Sequence, residues 1–150
     1  MTGPRLLEDE AATEAAGAEL ARLLGPGDLV LLTGPLGAGK STFVRGAARA
    51  LGVPGLVQSP TFVVGRSYTG SGGPVHHLDL YRFAERADDE DWAALEPYFS
   101  EGAIVFVEWP EAALGRWPRP PRARVRLDHA RAGARPARTL RVDLDGDPGA

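Results

Sequence analysis

Apolar residues are spaced along this chain in distinct ways, and each spacing predicts a different element. From 9 to 24, DEAATEAAGAELARLL, alanine and leucine dominate and acids fill the first turn. Gly25-Pro26-Gly27 then acts as a stop, which predicts a helix. DLVLLT (28–33) is a continuous apolar run between turn residues, the pattern of a strand buried on both faces. STFVRGAARALG (41–52) has helical spacing through Phe43, Ala47, Ala50 and Leu51, and ends at Gly52 and Pro54. The local plan is strand, glycine-rich turn, helix.

TFVVGRSY (61–68) and VHHLDLYRF (75–83) read as two strands of an antiparallel hairpin turned by TGSGG. ADDEDWAALEPYF (87–99) predicts a short helix broken near Pro97, and AIVFVE (103–108) a second buried strand ending on an acid. ARVRLDH (123–129) and RTLRVDL (138–144) alternate apolar and polar residues and predict a second hairpin, joined by ARAGARPA.

Composition narrows the class. A chain of 150 residues suits one domain with a modest core, its last six residues, DGDPGA, frayed. Apolar content of 43% and charged content of 25% argue against global disorder. With no cysteine, disulfides, thiolate catalysis and Cys-ligated zinc are excluded, and a reducing compartment fits. The first seventeen residues lack the apolar run of a signal peptide, and no segment approaches the ~18 apolar residues of a membrane span. The expectation is a soluble cytoplasmic protein.

The net charge of -3 is unevenly placed. Residues 112–141 hold nine arginines against one acid, Asp128. That stretch could contact RNA phosphates, or it could be a solvated surface produced by arginine-rich codon usage. The same bias makes Lys40, the one lysine beside sixteen arginines, conspicuous.

Lys40 lies in Gly34-Pro35-Leu36-Gly37-Ala38-Gly39-Lys40-Ser41, a match to G-x-x-x-x-G-K-[ST] with a buried strand before it and a helix after it. The glycines let successive backbone N–H groups turn inward on a polyphosphate, and the helix start directs its positive end at the same anion. Lys40 adds a compact ammonium for the β/γ-phosphates, where a planar guanidinium would fit poorly. Ser41 offers a hydroxyl to Mg²⁺, and Thr42 serves the metal or supports the loop. The competing reading is a glycine-rich turn that only caps a helix.

Other residues could complete a reaction site. Asp79 shares one strand face with His77 and Tyr81, where it could serve a Mg²⁺ ion or pair with Arg66 or Arg82 on the surface. Glu108 ends a buried strand, as a Walker-B-like acid does; it could orient water, support Mg²⁺, or merely face solvent. Trp109 either stacks on a ligand or covers the core. Thr61, in QSPTF (58–62), lies in an extended segment that could sense a γ-phosphate or be a simple turn. His76 and His77, facing opposite ways, read as structural.

Taken in order, GPLGAGKST, SPTF, HLDLYR and VEWPE resemble the TsaE (formerly YjeE) family of P-loop ATPases in bacterial tRNA threonylcarbamoyladenosine synthesis. The resemblance covers roughly residues 8–112. It implies an α/β, P-loop NTPase-like mixed sheet, a parallel core plus antiparallel hairpins, flanked by helices. It implies ATP and Mg²⁺ as cofactors. Phosphate binding falls to Gly34, Gly37, Gly39 and Lys40, and the metal to Ser41. Asp79 and Glu108 serve Mg²⁺ and hydrolysis, Thr61 a switch-like segment, and Trp109 lies near the site. The implied activity is a weak solitary ATPase that joins TsaD and TsaB, with tRNA reached through that complex and no membrane partner. Pro35 departs from the acid or asparagine common at that position. Three other functions compete. A small-molecule kinase needs an acceptor pocket and an arginine-bearing lid. A GTP switch needs a base-reading lysine beyond Lys40. A nucleotide-bound module without turnover has no use for Glu108.

Overall fold

The computed structural model describes residues 3–55, 64–81, 83, 88–100, 102–113 and 115–145. In chain order the elements are β1 (Arg5–Leu7), α1 (Glu10–Ala21), β2 (Leu29–Thr33), α2 (Lys40–Ala50), β3 (Gly65–Gly70) and β4 (Gly73–Asp79). They continue with α3 (Asp89–Ala93), β5 (Ile104–Glu108), β6 (Ala123–Ala132) and β7 (Arg135–Leu144). Single 3₁₀ turns occupy Glu96–Phe99 and Pro110–Ala113.

All seven strands form one sheet in the order β1-β7-β6-β2-β5-β4-β3. The four central strands, β6, β2, β5 and β4, run parallel. The flanks are antiparallel: β3 on β4, β7 on β6 and β1 on β7. This is an α/β fold with a mixed sheet, as the motif order implied.

β2 lies between two parallel neighbours and is covered on both faces, which explains its unbroken apolar run. Val30 and Leu32 join Leu20, Phe43, Val44, Phe106 and Leu127 beneath α1 and α2. Leu29 and Leu31 join Leu78, Leu95, Val105 and Val107 on the opposite face, with Trp92, Tyr98 and Trp117 packed against them. Asp9 caps α1 by accepting the Ala12 N–H at 2.8 Å. The two helices meet closely. A Cβ on Gly46 would lie 2.0 Å from the Glu14 carbonyl oxygen, and one on Gly17 2.0 Å from that of Phe43.

Several boundaries differ from the sequence expectation. The segment 130–137, read as a connection, is mostly strand: Ala132 pairs with Arg135, leaving only Gly133 and Ala134 to turn the hairpin. Gly133, at φ 64°, makes that tight turn possible. The β3–β4 loop shrinks likewise to Ser71 and Gly72. β4 stops at Asp79, whose carboxylate takes the Tyr81 N–H at 2.9 Å and bends the chain away. β1 was not foreseen, because three residues with one buried side chain carry no period. Asp145, the first residue of DGDPGA, bonds through its N–H to the Arg122 carbonyl; residues 146–150 lie outside the described residues. Among the described residues, no helix is long and apolar enough to cross a membrane.

Candidate functional site

The carboxyl ends of β2, β4 and β5 meet at one sheet edge, where open α/β sheets bind ligands. β2 runs directly into residues 34–39 and then α2. Gly34 has φ 145° and passes so close to β6 that a Cβ would lie 2.1 Å from the Leu127 carbonyl oxygen. Gly37 and Gly39 also have positive φ, 73° and 96°. Gly39 is the N-cap of α2 and offers no side-chain cap, so the first N–H groups of that helix are not spent on one. Ala38 is buried, whereas Leu36 projects from the loop tip at 61% exposure.

Lys40 is 5% exposed. Its ammonium donates to the carbonyl oxygens of Gly34 at 2.5 Å and Pro35 at 3.0 Å, and lies 4.1 Å from the centre of the Trp109 ring. Burial pushes Lys40 below the ordinary lysine value, against the opposing pull of Glu108, Asp79 and Glu111.

Glu108, at the end of β5, is 4% exposed. Its Oε2 accepts from the Ser41 hydroxyl at 2.9 Å and lies 2.5 Å from His77 Nε2. Asp79 is the register partner of Glu108 on the adjacent parallel strand. Burial raises the Asp79 carboxyl above its ordinary value; the Tyr81 N–H lowers it and neighbouring Glu108 raises it further. Trp109 sits at φ 59°, a left-handed conformation that costs a non-glycine residue roughly 1–2 kcal/mol. Its N–H bonds to the Leu32 carbonyl at 3.3 Å, and its ring meets Tyr81 at 4.7 Å.

Lys40, Ser41, Asp79, Glu108 and Trp109, separated by up to 69 positions in the chain, therefore meet at one edge. Thr42 follows Ser41 in the first turn of α2. Thr61 lies outside the described residues. The oxygen-only set of Ser41, Asp79 and Glu108 suits Mg²⁺. Among the described residues no three His, Cys, Asp or Glu side chains form a metal cage.

Two contacts were not foreseen. His77, read as structural, faces Glu108, while His76 turns to the other face and meets the Tyr98 ring edge-on at 5.5 Å. The two-residue spacing of His77 and Asp79 was the available signal, since both must share a strand face. His129 donates from Nε2 to the Leu36 carbonyl at 2.9 Å, pinning the loop tip to β6 across a sequence gap that no local pattern reveals.

The same chain matches known proteins along most of its length. The family model described as "Threonylcarbamoyl adenosine biosynthesis protein TsaE" matches residues 7–139. A Streptomyces coelicolor protein named tRNA threonylcarbamoyladenosine biosynthesis protein TsaE is 44% identical over 116 residues, 76% of this chain and 77% of that one. The Bacillus subtilis protein of the same name is 38% identical over 97 residues, 65% of this chain and 60% of its own. The crystal structure of Bacillus subtilis YdiB superposes with a TM-score of 0.68 at 28% identity, covering 95% of this chain and 85% of that one.

Proposed function

This chain belongs to the TsaE family of threonylcarbamoyladenosine biosynthesis, and from that footing we propose that it is a cytoplasmic, Mg²⁺-dependent ATPase subunit of the tRNA-modifying machinery, working with TsaD and TsaB. The observation that carries this reading is the convergence of Lys40, Ser41, Asp79 and Glu108 at the mouth of the glycine loop.

In this reading the loop from Gly34 to Gly39, through Pro35, Leu36, Gly37 and Ala38, wraps the phosphates and presents backbone N–H groups to them. Lys40 adds a positive charge whose desolvation strengthens its attraction for a polyanion. To do so it exchanges the Gly34 and Pro35 carbonyls for phosphate oxygens. Ser41, supported by Thr42, and the carboxylates of Asp79 and Glu108 hold the metal. Bound Mg²⁺ supplies neutralisation of the phosphate charge. Glu108 orients the attacking water, Thr61 belongs to the segment that senses the γ-phosphate, and Trp109 closes the wall beside Lys40. A kinase reading is less well supported, because Arg124, Arg126, Arg131, Arg135, Arg138 and Arg141 lie on paired strands rather than on a lid.

Two substitutions and one reconstitution test the assignment. Lys40→Ala is expected to weaken Mg·ATP binding severely in a calorimetric titration. Glu108→Gln is expected to retain ATP while losing about 10²–10³ in kcat, as when a group stabilising the transition state is removed. The wild-type rate should rise when TsaD, TsaB and tRNA are added. Robust phosphorylation of a small acceptor, with no response to those partners, would point to the kinase.

A further inference from the structure

A carboxyl group buried as deeply as that of Glu108 needs hydrogen-bond partners to be satisfied and oriented. Two donors converge on its Oε2, Ser41 Oγ and His77 Nε2. Lys40 does not share that task, because its ammonium donates to Gly34 and Pro35. Ser41 is the residue assigned above to the metal, so its bond to Glu108 opens when the site fills. His77 is then the donor that remains.

His77 is built for this position. It is 1% exposed, and β4 lies parallel to β5 with His77 opposite Phe106 and Asp79 opposite Glu108. Its Nδ1 is buried and has no hydrogen-bond partner among the described residues. The tautomer follows. A proton on Nδ1 would leave a buried donor unsatisfied and turn a bare lone pair towards a carboxylate, whereas a proton on Nε2 avoids both.

We propose that His77 is a positioning residue for Glu108: its Nε2–H fixes one carboxylate oxygen and leaves the other turned to the metal and the reacting water, before and after Ser41 turns to the metal. This rests on the ATPase reading above. A leucine of similar size could fill the space but could not donate. Glutamine can carry an amide N–H to nearly the same point.

The test has two arms. In the ¹⁵N-labelled, nucleotide-free full chain, long-range ¹H–¹⁵N correlation should show His77 as the Nε2–H tautomer, its proton shifted downfield, with the shift reduced in Glu108→Gln. An Nδ1–H tautomer, or a resonance indifferent to Glu108→Gln, overturns the proposal. In steady-state ATPase assays, His77→Leu should lower kcat by about 10–100-fold, the usual effect of losing a partner that orients an active group. Its KM for ATP should stay within about 2-fold, and His77→Gln should recover most of the loss. Full turnover by His77→Leu, or no recovery by His77→Gln, also overturns it. If the wild type fails to hydrolyse ATP, the functional reading falls and the imidazole resonances alone decide whether His77 holds Glu108. They also decide if His77→Leu does not fold.

Discussion

Desolvation acts in opposite directions on the charged side chains at the centre of the site: it lowers Lys40 and raises Asp79. Each shift means that burial disfavours the charge a ligand would need. For Asp79 the sign can be followed through. The folded protein holds the Asp79 proton more tightly than the unfolded chain does. Between the ordinary value of 3.8 and the raised one, stability therefore falls as pH increases. At neutral pH the ionised carboxylate is a net burden on the nucleotide-free fold. Asp79→Asn keeps the oxygen that accepts from Tyr81 but removes the charge. It is expected to raise Tm of the nucleotide-free protein at pH 7 and to leave Tm nearly unchanged well below 3.8. Calorimetric melts of both proteins across pH check this; a lower Tm at neutral pH contradicts it. The same substitution should weaken Mg²⁺-dependent nucleotide binding, separating what stabilises the fold from what serves the site.

At the scale of elements, the position of α2 sets the position of the loop it caps, and α2 is held by close backbone contact with α1. Gly46→Ala would drive a Cβ to 2.0 Å from the Glu14 carbonyl oxygen, which belongs to backbone and cannot rotate away. Overpacking of this kind costs about 1–3 kcal/mol, readable as a lower denaturant midpoint. Gly72→Ala, where a Cβ meets nothing within 4 Å, is the neutral comparison. Equal midpoints for both variants would contradict the packing account. Three kinds of local signal were legible in the sequence: helix-forming composition with a stop for α1, unbroken apolar runs for β2 and β5, and a clear period for α2 and the two hairpins. Lys40 and Ser41 stand out through the glycine-rich motif itself, whereas strand position alone leaves alternatives open for Asp79, Glu108 and Trp109, and only the resemblance carried by the motif order singles them out. Less local features were not legible. β1 is too short for a period, and the outer part of the β6–β7 hairpin is written in Ala and Arg rather than in β-branched residues. The contact of His77 with Glu108 and that of His129 with Leu36 depend on which strands become neighbours, which alternation alone does not decide.

For the molecule as a whole, the arginine-rich hairpin β6–β7 forms one flank of the sheet, and part of its charge is used locally. Arg126 makes a two-pronged bond to Asp128 at 2.8 and 2.9 Å, Arg141 reaches Asp143 at 3.4 Å, and Arg119 donates to the Phe99 and Ala103 carbonyls. The acids Asp128 and Asp143 compete with any RNA phosphate for Arg126 and Arg141. Replacing Arg124, Arg126 and Arg141 together by Gln is expected to change tRNA affinity of the TsaD–TsaB assembly by less than about 3-fold, with no change in its salt slope. A slope smaller by about one for each arginine removed would instead put the RNA backbone on this hairpin. The central claim is that the loop between β2 and α2 encloses a triphosphate, and a crystal structure with a non-hydrolysable Mg·ATP analogue tests it most directly. The account predicts phosphates inside residues 34–41, with Lys40 Nζ moved from the Gly34 and Pro35 carbonyls to a phosphate oxygen. Nucleotide bound elsewhere, or Lys40 still donating to those two carbonyls beside an ordered triphosphate, would contradict it.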